Sequence, residues 1–194
     1  MNLPNKLTLS RIILAPVVLL LMCLSIPDSE PWMSIAIAVV FSAASITDLI
    51  DGKIARKHNL ITDFGKFMDP LADKFVVMAA MLGIIVRYDW IRPVFVWAFA
   101  IVIFRELAVT SMRLIVSNKA GIVVAAAWLG KVKTTLQMIC ILTIVLEPVI
   151  FGWFPPSRDW HILSYITIAA MTVMTVWSGI DYLKTYWKYI GTDR

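Results

Sequence analysis

Residues 48–73 read DLIDGKIARKHNLITDFGKFMDPLAD, and the architecture of the chain turns on this stretch. Four of its aspartates form two pairs: Asp48 and Asp51 are three apart, Asp69 and Asp73 four apart. Those spacings put each pair on one face of a helix. A short turn around His58 to Thr62 makes the two helices antiparallel neighbours, so the pairs can converge, and Thr62 or Asp63 is placed to cap the later helix. Small residues accompany the carboxylates. Gly52 lies four after Asp48, Ala55 seven after it, and Gly65 four before Asp69. A glycine inside a helix costs about 1 kcal/mol relative to alanine, so these positions point to a need for space beside the backbone, enough for a bulky ligand. Pro70 leaves the carbonyl of Lys66 without its helical donor and is set to bend the entry turn.

Working outward, the surroundings of this stretch are apolar. The chain has 194 residues, of which 60% are hydrophobic and only 16% charged, and its mean hydropathy is +0.81. Soluble domains are near half apolar and a quarter charged, so the composition points to a membrane protein. A spanning helix needs about 20 largely apolar residues, and six segments meet that need: 8–27, 33–57, 65–87, 92–117, 128–153 and 161–187. The third and fourth have uninterrupted apolar runs only at Phe75 to Val86 and Pro93 to Phe104. Their charged halves therefore leave the bilayer or face protein and water. The N-terminal run after Lys6 and Arg11 lacks a small-x-small cleavage site and reads as a retained first helix. Cys23 and Cys140 sit in apolar runs without metal-ligand spacing, as buried free thiols do.

Charge assigns the sides. The N-terminus, the 48–74 region, the 105–133 region and the C-terminus together carry 15 of the 18 basic residues, leaving Arg87, Arg92 and Arg158 to the opposite side. The positive-inside rule puts both termini and the charged halves in the cytoplasm. Trp32, Trp90, Trp153 and Trp160 gather near the outer turns, at Pro27 to Pro31, Tyr88 to Pro93 and Pro155 to Asp159, as interfacial aromatics do. The expectation is an all-α integral membrane bundle of six transmembrane helices, one domain over 1–194, with cytoplasmic termini and a cavity open to the cytoplasm.

Four carboxylates at one end of such a bundle repel unless cations join them. Oxygen ligands without His or Cys favour Mg²⁺, Mn²⁺ or Ca²⁺ over zinc, and Mg²⁺ is commonly shared between carboxylates and substrate phosphates. Arg56 could add a charge-assisted phosphate contact. Taken singly, each aspartate reads better as an ion-pair partner of Lys53, Arg56, Lys66 or Lys74. Taken with Gly52, Ala55 and Gly65, the set points to a ligand site.

These residues spell Asp48-x-x-Asp51-Gly52-x-x-Ala55-Arg56, eight residues, then Gly65-x-x-x-Asp69-x-x-x-Asp73. The pattern resembles the signature of the CDP-alcohol phosphotransferase family, with no departure in type or spacing, and the length and helix number suit that family too. The resemblance implies that an alcohol hydroxyl attacks the phosphorus on the lipid side of a CDP-linked substrate and CMP leaves. It implies Asp48, Asp51, Asp69 and Asp73 as ligands of two Mg²⁺ or Mn²⁺ ions, with Asp73 also the general base. Gly52, Ala55, Arg56 and Gly65 would line the cytidine diphosphate pocket, and a homodimer in the bacterial plasma membrane is implied as well. Two metals can clamp attacking and leaving oxygens, and a carboxylate beside them can take the proton.

The acceptor must be recognised elsewhere. Arg105 and Arg113 are eight apart and roughly share a face; Lys131 and Lys133 follow on the next helix. Positive-inside charge and snorkelling would account for them individually, yet Arg105 and Arg113 lie within an apolar segment, where a charge needs a partner. Glu106 is one candidate and a phosphate-bearing alcohol another. The opening Asn2-Leu3-Pro4-Asn5-Lys6-Leu7-Thr8-Leu9-Ser10-Arg11 and the stretch Gly130-Lys131-Val132-Lys133-Thr134-Thr135 are similar to the bacterial branch of the family that joins glycerol 3-phosphate to CDP-diacylglycerol. Thr8 and Arg11 would then lie near nucleotide or phosphate; Thr8 reads equally as a helix cap. Acceptors of related enzymes, inositol phosphate, serine and phosphatidylglycerol, compete with glycerol 3-phosphate. A divalent-cation transporter is the remote alternative, disfavoured because the outer halves carry no acidic trail beyond Glu147. No nucleic-acid partner is expected.

Overall fold

A computed structural model describes residues 3–24, 31–57, 63–120, 128–151 and 161–190, without the side chains of 3, 4, 48–57, 63, 64, 66, 67, 118–120 and 188–190. The described chain is all helix: α1 Leu3–Cys23, α2 Pro31–Lys57, α3 Asp63–Arg87, α4 Arg92–Ala120, α5 Trp128–Phe151 and α6 Ile162–Ile190. The boundaries follow the apolar segments closely. The largest shift is at α1, which starts five residues before Thr8 because Leu3 and Pro4 already form its first turn, where a proline lacking an N–H costs little. Thr8 is therefore inside the helix and does not cap it. Thr62 and the turns at 25–30 and 152–160 lie outside the described residues.

Among the described residues, four helices are long and apolar enough to cross a membrane: Asn5–Cys23, Arg92–Ser117, Trp128–Phe151 and Ile162–Trp187. Within α2, Pro31–Thr47 is a shorter apolar stretch. In α3 the charged residues up to Lys74 occupy the first half. The surface is that of a membrane protein. Trp97, Phe104 and Trp128 are each about three-quarters exposed, while Thr8, Arg11, Arg105, Lys133, Gln137 and Glu147 are buried. Hydrocarbon outside removes the penalty on exposed apolar groups and makes unpaired polar groups expensive, so the polar side chains turn inward and find one another.

α1 packs against α2 and α3, α6 packs against α4 and α5, and the two trios meet where α3 touches α4 and α5 and where α2 touches α5. Met22, Met33, Phe41, Met81, Ile84 and Phe95 fill the apolar centre. The α1–α3 contact is close. A Cβ on Gly83 would clash with the sulfur of Met22 and stand 2.8 Å from its Cβ, so only glycine lets the helices approach this far.

At the end of the bundle that carries the α3–α4 and α5–α6 connections, buried groups close the helix termini. The Glu147 carboxylate accepts from the backbone N–H of Leu163 (2.9 Å) and Ser164 (2.8 Å) and from the Ser164 hydroxyl. It thereby satisfies orphan donors at the start of α6 and places negative charge at the positive end of its dipole. Glu147 is thus a helix cap. Arg92 donates to the carbonyls of Ile85 (2.7 Å) and Val86 (3.1 Å) at the end of α3, and Trp90 stacks on His161 with ring centroids 3.6 Å apart.

The glycine contact gives a stability test. Gly83→Val should cost about 1–3 kcal/mol by overpacking, lowering the melting temperature in detergent by about 2–10 °C for a chain of this size. An unchanged melting temperature would show that α1 and α3 do not meet at this glycine.

Candidate active site

Asp69 and Asp73 lie one turn apart on α3, with Gly65 buried one turn before them. The sequence pairing of these three on one face therefore holds. Asp69 is gripped from α1: the hydroxyl of Thr8 donates to Asp69 Oδ1, and Arg11 Nη2 lies 3.6 Å from the same oxygen. Thr8 and Arg11 are three apart, so α1 presents both to α3, and both are buried while the Asp69 side chain is half exposed. Asp73, one turn deeper, lines a small cleft together with Arg11 and Ser45. It also lines a cavity of about 40 Å³ with Lys74, Glu106, Lys133, Thr134 and Gln137. On the α2 side, Asp48, Asp51, Gly52, Ala55 and Arg56 lie in helical backbone, but their side chains are outside the described residues.

Glu106 on α4 anchors the far wall of that cavity. Its Oε1 accepts from Lys133 on α5 and lies 3.1 Å from Arg105 Nη1, and its Oε2 lies 3.7 Å from Lys74 on α3. Lys74 also donates to the hydroxyl of Thr110 at 2.6 Å. Three cations on one carboxylate leave positive charge in excess, so the wall can attract an anion. Arg105 runs through a slot between helices: a Cβ on Gly179 would meet its Cγ at 3.2 Å, and one on Gly130 would lie 3.9 Å from its Nη2. The Tyr182 ring lies under two guanidinium groups, Arg105 at 5.6 Å and Arg113 at 5.2 Å, and Arg113 donates to the Tyr182 hydroxyl at 2.6 Å. Of the four basic residues singled out by sequence, Arg105 and Lys133 share Glu106, Arg113 joins them through Tyr182, and Lys131 is exposed.

The chain is similar to known proteins over its whole length. Residues 1–179 match the model of the CDP-alcohol phosphatidyltransferase family. The chain belongs to that family. Among its relatives, a Bacillus subtilis protein named CDP-diacylglycerol–glycerol-3-phosphate 3-phosphatidyltransferase is 40% identical over 202 aligned positions, covering all of this chain and 99% of the relative. The Escherichia coli K12 protein of the same name is 35% identical, covering 94% of this chain and 93% of its own length. A Mycobacterium tuberculosis protein named probable phosphatidylglycerophosphate synthase is 35% identical over all of this chain and 85% of its own.

Within this phosphatidyltransferase, sequence reading missed Lys74, Gln137 and Tyr182 as parts of the basic wall, and it left the partner of Glu106 open. One signal was available for Gln137, which lies four after Lys133 and so shares its face of α5. Tyr182 gave none, since its partners are on another helix.

The Glu106 ion cluster predicts a non-additive pair. Glu106→Leu leaves buried cations uncompensated, a loss of about 3–5 kcal/mol, which lowers the melting temperature by about 6 °C or more. Adding Lys133→Met should restore part of that loss in a double-mutant cycle. A double variant no more stable than Glu106→Leu would refute the pairing.

Proposed function

We propose that this chain transfers the phosphatidyl group of CDP-diacylglycerol to glycerol 3-phosphate, giving phosphatidylglycerol phosphate and CMP. The observation that carries the proposal is the cavity in which Asp73 faces Lys74, Lys133 and the Glu106 cluster, because it puts a candidate base beside a cationic wall suited to a phosphorylated alcohol. The family membership and the names of the full-length relatives support the same reaction.

In this reading the hydroxyl oxygen of glycerol 3-phosphate forms a bond to the lipid-bearing phosphorus, the anhydride bond to CMP breaks, and Asp73 accepts the hydroxyl proton. Asp48, Asp51, Asp69 and Asp73 would hold two Mg²⁺ or Mn²⁺ ions. The oxygen-only pair on α3 fits such hard cations, and Thr8 and Arg11 orient Asp69 as outer groups orient a ligand. Bound there, the cations would supply charge neutralisation for the diphosphate and Lewis acidity for the phosphoryl transfer. Gly52, Ala55, Arg56 and Gly65 would border the nucleotide, with Thr8 acting there through Asp69. Lys133 and Arg105 would take the acceptor phosphate, with Arg113 and Lys131 further out.

The same reading makes 1–194 one membrane domain with six crossings, α2 and α3 spanning with their charged ends in the cytoplasm. Its support is the gathering of basic residues on one side. It further takes the chain to be a homodimer in a bacterial plasma membrane.

Two measurements test the mechanism. Purified protein given CDP-diacylglycerol and glycerol 3-phosphate should release CMP with Mg²⁺ or Mn²⁺ and stop in excess EDTA; full activity in EDTA would exclude the metal-dependent route. Asp73→Asn should lower the rate by about 10²–10⁴-fold while CDP-diacylglycerol still binds, whereas a wild-type rate would remove Asp73 from the base role.

A further inference from the structure

Gln137 lies on α5 one turn beyond Lys133 and on the same face, about 6 Å further along the helix axis. Its side chain is 2% exposed and lines the cavity shared with Asp73, Glu106 and Lys133. Its Nε2 has no hydrogen-bond partner among the described residues. The neighbouring polar groups on that wall are engaged: Lys133 and Lys74 with Glu106, Lys74 also with Thr110, and the Thr134 hydroxyl with the Gly130 carbonyl at 3.0 Å. Buried amides are nearly always paired, so an unpaired one on a cavity wall calls for an explanation. A carboxamide is neutral and both donates and accepts. It therefore suits a hydroxyl better than an ion, and the wall already has cations for an anion one turn away.

We infer that Gln137 is a specificity-determining residue that holds the non-reacting hydroxyl of a phosphorylated polyol acceptor. The inference rests on the reading of the acceptor as glycerol 3-phosphate and deepens it. The cations beside Glu106 take the phosphate at one end of the three-carbon chain. Asp73 takes the proton of the reacting hydroxyl at the other. Gln137 pairs with the hydroxyl on the carbon between them. An alcohol without that hydroxyl leaves the buried amide unpaired in the complex, and sites built around a substrate hydroxyl reject analogues that lack it.

The test compares glycerol 3-phosphate with 3-hydroxypropyl phosphate, which keeps the phosphate and the reacting hydroxyl but lacks the middle one. CMP release from CDP-diacylglycerol gives kcat/KM for each acceptor. Wild-type protein should prefer glycerol 3-phosphate by about 10- to 100-fold. Gln137→Met, close in size and apolar, should bring the two acceptors within about threefold of each other, with the KM for CDP-diacylglycerol unchanged. The wild-type ratio needs no variant, and a ratio near one overturns the inference. So does a folded Gln137→Met protein that keeps the wild-type ratio or loses both acceptors alike. Wild-type protein that releases no CMP with glycerol 3-phosphate overturns the acceptor reading and this inference together; turnover of glycerol 3-phosphate with an unchanged ratio in the variant overturns the inference alone.

Discussion

A carboxylate in the middle of an apolar helix must be paired, and the pairing of Glu106 organises the interior of this protein. In water such a group would be indifferent to its neighbours, but against hydrocarbon an unpaired charge is costly enough to select the packing around it. Glu106 meets that demand with Lys133 from α5, Arg105 from its own helix and Lys74 from α3, so one side chain ties three helices at one end of the bundle. Lys74 follows Asp73 directly, which means the contact that fixes the basic wall also fixes the depth of the candidate base. The slot between Gly130 and Gly179 lets Arg105 lie flat among the helices instead of reaching out of them.

The same logic appears elsewhere with different partners. On α1, Thr8 and Arg11 turn inward onto Asp69, and the close approach at Gly83 holds α1 near enough to reach it. At the opposite end of the bundle Glu147 caps α6, where its charge is compensated by backbone N–H groups and no cation is needed. That disposes of the one residue that looked like part of an ion path: its carboxylate is spent on structure. The polar groups near Asp73 are arranged otherwise, around a small cavity of about 40 Å³.

Much of this was legible from the chain alone, for identifiable reasons. Apolar runs of membrane length and the breaks between them located the six helices, and the spacing of Gly65, Asp69 and Asp73 placed them on one face because helical geometry fixes it. What spacing could not supply was any partner on another helix. Thr8 and Asp69 are 61 residues apart and Lys133 and Glu106 are 27 apart; neither separation carries a periodic signal. Glu106 read as a partner for Arg105 or Arg113, and only the packing of α4 against its neighbours assigns it to Arg105, Lys133 and Lys74. Arg113 went instead to Tyr182, a residue with no local reason to be noticed. Lys131, two residues from Lys133, points elsewhere because residues two apart on a helix do not share a face.

The central claim is that a carboxylate and a cationic wall meet in one cavity to join a phosphorylated three-carbon alcohol to a CDP-linked lipid. The most direct measurement is CMP release from CDP-diacylglycerol by the purified protein, with glycerol 3-phosphate, inositol phosphate, serine and phosphatidylglycerol offered separately under the same conditions. Release with glycerol 3-phosphate alone is expected. Faster release with any of the other three, or none with all four, would contradict the claim.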